Sequence, residues 1–356
     1  MAAVLGGDAL EGFRRANPAY VLNFPADHGP HPAFRSEWWY LTLMLEGDDG
    51  REYGGQFTLF RQAMEPPPET PAGAEPQPFS SWDTRQLYMA HLAVSDVGAG
   101  KHRSAERFSR GHSELAAVSA FPFRAFIDDW RLEALGDGTA GFPWQLTARA
   151  DDFSWNLRIE DGRPLVLQGE AGYSAKGPGQ ASHYYSYSRL PVSGQLVVDG
   201  RSIRVSGNGW FDREWSTSVL GASQTGWAWL ALQLDDGRDL MAFRLKRDDC
   251  RRDPFDHGLI VAQDGSTALL NSDDFSLEPI RWWEDGEPAQ DIDRCAGDRA
   301  GWPVGWLLTL GTERFRIDAA FDQQLMRTRV RYWEGLVRVS QNDASVGRGY
   351  LELTGY

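Results

Sequence analysis

Short apolar runs that repeat every two residues dominate the sequence and limit the folds that it can adopt. Phe153, Trp155, Leu157 and Ile159 alternate with other residues, and Asp161-Gly162 then marks a turn. Successive side chains of a β-strand point to opposite faces, so this alternation is typical of a strand with one buried face. Similar runs between Gly and Asp turns continue along the chain, without a long stretch of 3.6-residue repeat. The sequence therefore predicts an all-β protein.

One hairpin pattern occurs twice. The run from Trp38 to Leu45 is apolar on both predicted faces, passes through Asp48-Asp49-Gly50 and returns as a second strand. An aromatic cluster at 226–229, leucines at every second position and Asp235-Asp236-Gly237 repeat this order about 188 residues later. Such a repeat indicates two β domains of related design, which we place at residues 1–220 and 221–356. The alternative is chance similarity between two hairpins.

A few segments depart from the strand pattern. Asp8 to Arg15 and Phe321 to Arg327 are the two places where a short helix is plausible. Met64 to Ser81 contains six prolines, which predicts a long loop that covers an opening. Asp27-His28-Gly-Pro-His31 is the closest group of histidines, and its Pro and Gly content favours a surface turn over a metal site.

Charge and hydropathy restrict the function and the compartment. The formal charge of −14 argues against a nucleic-acid partner, and no apolar run is long enough to span a membrane. The first residues lack the basic segment of a signal peptide, so the protein is either cytoplasmic or exported with its leader removed. Cys250 and Cys295, the only cysteines, form one disulfide if the compartment is oxidising and the two meet.

The stretch Gly207–Ser216 combines acids with indoles. In an extended strand Trp210, Asp212 and Glu214 share one face, while Phe211, Arg213 and Trp215 share the other. A carboxyl group beside an aromatic wall is costly to bury unless it is neutral, paired or functional. Two interpretations stay open: an acid whose proton is used in catalysis, or a structural carboxylate that pairs with a nearby arginine such as Arg213.

Several motifs together resemble one known family. They are Phe24-Pro-Ala-Asp27-His28-Gly-Pro-His31, Glu37-Trp38-Trp39-Tyr40, His183-Tyr184-Tyr185-Ser186, Trp210-Phe211-Asp212-Arg213-Glu214-Trp215-Ser216, Gly226-Trp227-Ala228-Trp229, Tyr332-Trp333-Glu334-Gly335 and Leu351-Glu352-Leu353-Thr354-Gly355-Tyr356. In this order they resemble the carotenoid 1,2-hydratase family, which includes hydroxyneurosporene synthase and the bacterial AttH-like proteins. The resemblance covers residue 24 to the end of the chain.

This resemblance implies two lipocalin-like, calycin-type β-barrel or β-sandwich domains packed together, with a cavity for a hydrophobic ligand such as a lipid or isoprenoid. Fungal cyclases of the Diels–Alderase type look similar in fold, so chemistry varies within it. AttH-like proteins are usually exported and occur beside ABC-transporter components. The resemblance thus predicts a periplasmic or membrane-associated location and a transporter component as a possible partner.

The resemblance also implies a catalytic set. In the hydratases a His-x-aromatic pair precedes an aromatic-x-Asp pair by 27 residues, which His183 and Tyr185 followed by Trp210 and Asp212 reproduce. Here Tyr185 stands in place of the usual Trp, and Trp210 in place of the usual Tyr. Further residues of these motifs are predicted to bind the ligand: Glu37, Trp38, Tyr40, Glu214, Trp215, Trp227 and Trp229.

Two functions follow as expectations. The first is a lipocalin-like protein that binds a hydrophobic ligand near the domain junction. The second is a cofactor-independent hydro-lyase, cyclase or isomerase, in which Asp212 protonates an alkene, aromatic faces stabilise the cation and His183 deprotonates water. This scheme requires no metal. A protein-interaction module for a transporter is a third possibility, whereas a hydrolase is disfavoured because no Gly-x-Ser-x-Gly motif is present.

Overall fold

The computed structural model describes residues 11–67, 85–112, 114–136, 141–218, 220–283 and 301–356. Within these ranges the chain forms antiparallel β-strands, and the only helix is a single 3₁₀ turn at Ala26–His28. The strands belong to two curled sheets, of 13 and 10 strands. The all-β prediction and the two lipocalin-like barrels are confirmed.

The first sheet contains every strand up to Ser216. Its strands are β1 Ser36–Gly47, β2 Glu52–Ala63, β3 Gln86–Asp96, β4 Lys101–Arg110, β5 Ala116–Ala120, β6 Phe123–Ile127, β7 Trp130–Ala134, β8 Trp144–Arg149, β9 Phe153–Ile159, β10 Val166–Leu167, β11 Tyr173–Gly177, β12 Gln180–Val198 and β13 Arg201–Ser216. They pair in the order β4-β3-β2-β1-β13-β12-β9-β8-β7-β6-β5, with β10 and β11 paired to β12.

The second sheet begins at Gln224. Its strands are β14 Gln224–Leu234, β15 Asp239–Arg247, β16 His257–Val261, β17 Thr267–Leu270, β18 Phe275–Trp283, β19 Trp302–Leu310, β20 Glu313–Ala319, β21 Leu325–Met326, β22 Tyr332–Gln341 and β23 Ala344–Thr354. Their order is β17-β16-β15-β14-β23-β22-β20-β19-β18, with β21 paired to β22. The predicted domain boundary at 220/221 falls in the connection between the sheets and stays a prediction.

The repeated hairpin opens each sheet in the same way. The hairpin β1–β2 turns at Asp48–Gly50, the hairpin β14–β15 turns at 235–237, and the first strand of each pairs with the last strand of its sheet. The shared order of aromatic cluster, alternating leucines and Asp-Asp-Gly turn therefore corresponds to an equivalent place in both barrels.

Both barrels are filled by their own side chains. Trp39, Leu41 and Leu43 on β1 point into the first barrel, whose core also includes Trp144 and Trp155. The second barrel has a separate core. The other face of β1 packs against the second sheet in a third cluster that draws residues from both halves of the chain. This explains why β1 is buried on both faces, as its sequence predicts.

Three predictions about the irregular segments need comment. The helix expected at Phe321 to Arg327 is wrong, because Leu325–Met326 is a short strand paired with β22. The helix expected at Asp8 to Arg15 is absent from residues 11–15, which begin with a turn, and its start lies outside the described residues. Most of the predicted loop from Met64 to Ser81 also lies outside them.

Two further features concern membrane-spanning helices and the cysteines. No helix in the described part of the chain is long and apolar enough to cross a membrane. Cys250 is disulfide-bonded, and Cys295, the chain's other cysteine, lies outside the described ranges.

Candidate functional site

A cavity lies between the outer faces of the two barrels. The first sheet contributes Trp38, Tyr40, Phe60, Ser174, Lys176, Tyr184, Asp212 and Glu214, and the second contributes Trp227, Trp229, Phe243, His257 and Glu352. Its volume is about 60 Å³, room for a few water molecules or for one end of an elongated ligand. Ligand sites are often built at such domain junctions, and here the barrel interiors are already occupied.

Strand alternation places the acids of β13 in this cavity. Trp210, Asp212 and Glu214 lie on the face that meets the second sheet, whereas Phe211 and Trp215 belong to the core of the first barrel. In the antiparallel pairing, Tyr40 of β1 lies opposite Asp212, and Trp38 lies opposite Glu214. Opposite residues share a face, so β1 supplies aromatic neighbours to both carboxyl groups.

Asp212 is the central polar residue of the cavity. Its Oδ1 accepts hydrogen bonds from Trp210 Nε1 (2.8 Å) and from the Ser186 hydroxyl, and its Oδ2 accepts one from the Tyr184 hydroxyl (2.9 Å). Burial raises the pKa of Asp212 to about 7, although these three hydrogen bonds act to lower it, and repulsion from Glu214 adds to the rise. No described cation forms an ion pair with this carboxyl group, so it can hold a proton near neutral pH.

Glu214, unlike its neighbour Asp212, has a described cation as its partner. It forms a buried ion pair with Lys176, whose Nζ lies 5.5 Å from the ring centroid of Trp38 and 5.6 Å from that of Phe243. Of the two carboxyl groups that β13 presents to the cavity, one is therefore in an ion pair and the other forms none with any described residue.

The aromatic walls surround the acid from both sheets. The ring of Trp229 meets those of Tyr40 and Trp210 edge to face, with centroids 5.2 and 6.4 Å apart. Trp229 Nε1 also donates to the Tyr184 hydroxyl at 3.2 Å, so Trp229, Tyr184 and Asp212 form a chain of hydrogen bonds. The indole therefore orients the tyrosine that contacts the acid.

Arg213 lies on the other side of the sheet. With Arg61 it binds Glu37 in a cluster that is completely buried. Burial alone would raise the pKa of Glu37, but the two guanidinium groups outweigh it and hold the pKa far below the usual range. Glu37, predicted to bind the ligand, is thus part of a structural ion pair, and Arg213 pairs with Glu37 and not with Asp212.

His183 and Tyr185 are also separated from Asp212. They lie opposite Trp215 and Arg213 in the pairing of β12 with β13, and therefore on the face away from the cavity. His183 Nε2 accepts from the backbone N–H of Asn17 at 3.3 Å, and burial lowers its pKa to about 4. The predicted set of His183, Tyr185, Trp210 and Asp212 is not assembled, because the sheet separates its two halves.

The segment around Asp27 is not the surface turn that its composition predicts. Asp27 and His28 are buried, Asp27 accepts from the Tyr20 hydroxyl (2.7 Å), and His28 Nδ1 lies 2.6 Å from the Tyr185 hydroxyl. His31 stacks on Trp215 with ring centroids 3.9 Å apart. This segment covers the face of β12 and β13 that is opposite the cavity, which explains why its polar residues are buried.

The predicted site residues therefore lie on two opposite sides of the first sheet. Those that line the cavity are Trp38, Tyr40, Asp212, Glu214, Trp227 and Trp229, and Trp210 contacts it through Asp212. Those on the far side are Glu37, His183, Tyr185 and Trp215.

Sequence reasoning missed several cavity residues. Tyr184 and Ser186 belong to the same motif as His183 but have the opposite strand phase. Further cavity residues carry no local signal: Phe60, Ser174, Lys176, Phe243, His257 and Glu352. Glu352 belongs to the closing motif at 351–356, which pointed to the family but not to this place.

Comparison with known proteins places the chain among related structures. An AttH protein (NE1406) from Nitrosomonas europaea is 33% identical, with 97% of this chain and 100% of that chain covered and a TM-score of 0.81. Kievitone hydratase from Nectria haematococca is 13% identical (96% and 95% covered, TM-score 0.66). CghA with Sch210972 is 14% identical (99% and 97%, TM-score 0.55). At these lower identities the likeness shows the fold alone. No protein of curated function matches the sequence.

The family model described as AttH-like matches residues 15–356, nearly the whole chain. Together with the likeness to the Nitrosomonas protein, this match defines the family. The chain belongs to the AttH-like family.

Proposed function

We propose that the cavity between the barrels binds the unsaturated end of a hydrophobic molecule, of lipid or isoprenoid type, and that Asp212 protonates it. The reaction class is that of a cofactor-independent hydro-lyase, with a cyclase or isomerase as close variants. The observation that carries the proposal is a buried carboxyl group that faces an aromatic cavity and forms no ion pair with any described residue.

The location of the proton follows from the hydrogen bonds of Asp212. Oδ1 accepts two hydrogen bonds and Oδ2 accepts one, so a proton on the carboxyl group belongs on Oδ2. A general acid works best when its pKa is close to the working pH. Burial brings the pKa of Asp212 to about 7, and Arg213, which would have kept it ionised, points to the opposite face.

The walls suit the cation that alkene protonation creates. Trp229, Trp38 and Tyr40 present rings to the cavity, and a desolvated cation over such a ring is stabilised by roughly 2 kcal/mol. Water then adds to the cation and gives an alcohol, while capture by another part of the same molecule gives a cyclic product. The second outcome would make the protein a cyclase.

The family and the fold are consistent with this reaction class. A hydratase occurs among the structural neighbours, although at 13% identity it shares only the fold with this chain. The small cavity fits one reacting end of an elongated ligand better than an entire lipid. Simple ligand binding without chemistry is the second candidate, and it is supported by the same aromatic walls.

The compartment and the partner are proposals as well. The disulfide-bonded Cys250 supports an oxidising compartment such as the periplasm, because disulfides are rare in the cytosol. The transporter component stays a prediction from the family resemblance.

The test is product analysis with a panel of prenyl alcohols, squalene and acyclic carotenoids. The wild-type protein is expected to yield a product heavier by one water, and Asp212→Asn is expected to bind the same compound without converting it. Ser182→Ala is a matched control, since Ser182 lies on the same face of the neighbouring strand but outside the cavity lining. Binding of the panel compounds without any product from the wild type would leave the ligand-binding protein as the function.

A further inference from the structure

A second buried carboxyl group faces the same cavity from the other sheet. Glu352 on β23 accepts hydrogen bonds from Trp227 Nε1 (2.9 Å) and from the Thr354 hydroxyl (3.3 Å), and both go to Oε1. None of the hydrogen bonds between described residues involves Oε2, and no described cation forms an ion pair with this side chain. Glu352 is therefore oriented through one oxygen, and the other is left for the cavity.

We propose that Glu352 is the general base of this cavity and that it accepts the proton of the attacking water, opposite Asp212 across the domain junction. This inference rests on the proposed function, because it completes the same reaction. It assigns one carboxyl group from each barrel to one reaction, so neither half of the chain has a complete site.

The other polar residues of the cavity are less suited to this role. Glu214 is held by Lys176 in a buried ion pair, which it would have to give up to take a proton from water. His257 Nδ1 lies 3.1 Å from the carbonyl oxygen of Phe255 and donates to it, so Nε2 is the acceptor of the Ser174 hydroxyl at 3.1 Å. The lone pair of His257 is thus already engaged. Burial also lowers the pKa of this imidazole, which makes it a poorer proton acceptor.

Glu334 explains how Glu352 can be the group that ionises. The two glutamates lie directly opposite each other on β22 and β23, and Glu334 accepts a hydrogen bond of 2.5 Å from the Tyr40 hydroxyl. Burial raises the pKa of Glu334 well above its usual value, and repulsion from Glu352 adds to it. The pKa of Glu352 is raised by burial only to about 7. Two adjacent buried carboxyl groups resist ionising together, so one of them keeps its proton. Glu352 lines the cavity and Glu334 does not, so the negative charge of the pair is assigned to Glu352.

The chemistry balances without a co-reactant other than water. The π electrons of the alkene take the proton from Asp212 Oδ2, which forms a C–H bond and leaves a carbocation. A lone pair of water forms the C–O bond, and Glu352 takes the proton that the bound water loses. The product is an alcohol, and the protein ends with Asp212 ionised and Glu352 protonated. Exchange of one proton with solvent at each group restores the starting state.

The dependence of activity on pH tests this assignment directly. The acid must be protonated and the base must be ionised, so activity is expected to fall on both sides of an optimum near the two pKa values. The acidic limb follows ionisation of the base, Glu352, and the alkaline limb follows loss of the proton from the acid, Asp212. Other titratable or charged groups also face Glu352 or line its cavity: Asp212, Glu214, Lys176, His257, Tyr40, Tyr332 and Glu334.

The experiment compares variants on the panel compound that the wild type hydrates. Glu352→Gln is expected to lower kcat about 10²- to 10⁴-fold, to leave ligand Kd unchanged and to lose the acidic limb of the profile. Glu352→Ala is expected to regain activity when formate is added, because a small carboxylate can occupy the vacated place. His257→Gln is the control for a competing base and is expected to keep the acidic limb.

The outcomes separate the two proposals. An active Glu352→Gln with both limbs, or a Glu352→Ala that formate does not rescue, overturns the assignment of the base while Asp212→Asn still tests the acid. Loss of the acidic limb in His257→Gln alone would transfer the role to the imidazole. Failure of the wild type to convert any panel compound refutes both proposals together.

Discussion

Replacing the buried acid should make the stability of the folded protein less dependent on pH. In the native state burial holds the pKa of Asp212 at about 7, about three pH units above the value of 3.8 for an unperturbed aspartate. Between these two pH values the folded state binds more protons than the unfolded state, so the free energy of unfolding falls as the pH rises. One pH unit corresponds to about 1.4 kcal/mol, so the whole effect is about 4 kcal/mol.

Asn in this position is neutral at every pH and does not contribute this loss. Between about pH 5 and about pH 8.5 the wild type should therefore lose about 3 kcal/mol more stability than Asp212→Asn. This is less than the whole effect, because part of the loss occurs below pH 5. The assay is reversible denaturant unfolding at both pH values. Groups that are independent of this site contribute equally to the pH dependence of both proteins, so their contribution cancels in the difference.

An exposed aspartate provides the control. Asp273 is exposed in the turn before β18, so Asp273→Asn controls for the removal of a carboxyl group outside the cavity. If the wild type and Asp212→Asn show parallel stability curves across this range, Asp212 is ionised in the native protein. The reasoning that makes it a general acid would then be refuted.

Three further variants test other parts of the site. Tyr184→Phe removes a hydrogen bond that lowers the pKa of the acid, so the alkaline limb of the activity profile should move to higher pH; a shift to lower pH would contradict this. Glu37→Gln leaves two buried guanidinium groups without their partner and should cost about 3–5 kcal/mol in denaturant unfolding without changing ligand Kd; an unchanged stability would refute the buried pair. His183→Gln should keep the pH profile of the wild type, because the sheet lies between this residue and the cavity. Loss of either limb of the profile in this variant would show that His183 takes part in the reaction.

Much of the fold can be predicted from local sequence patterns. The period of two in runs such as Phe153 to Ile159 identifies strands, and the same alternation correctly separates Asp212 from Arg213. The repeated hairpin identifies the first two strands of each sheet, because turn residues and aromatic clusters are local features of the sequence. These predictions require no knowledge of which strands meet.

The phase of β12 shows why the catalytic set was not predictable. If the register that begins with Val198 opposite Arg201 continued without interruption, Tyr185 would lie opposite Glu214 and would face the cavity. A register shift between Tyr187 and Leu190 adds one residue to β12. As a result Tyr184 and Ser186 face the acid, because a shift of one residue exchanges the faces of a strand.

The position of Glu352 in the cavity could not be predicted from local sequence patterns, for a different reason. Glu352 is 140 residues from Asp212 along the chain and belongs to the other sheet. Only the packing of the two outer barrel faces brings it to the cavity. The sequence motif that contains it carries no separate sign of its depth or its neighbours.

The central claim is that Asp212 transfers a proton to carbon, and product analysis in deuterated water tests it most directly. Wild-type protein and Asp212→Asn would be incubated with the panel in D₂O, and deuterium in the products located by NMR. We predict an alcohol from the wild type with one deuterium bound to the carbon beside the new C–O bond, and no such product from the variant. Recovery of the compounds unchanged from the wild type, or the same deuterated alcohol from both proteins, would contradict the account.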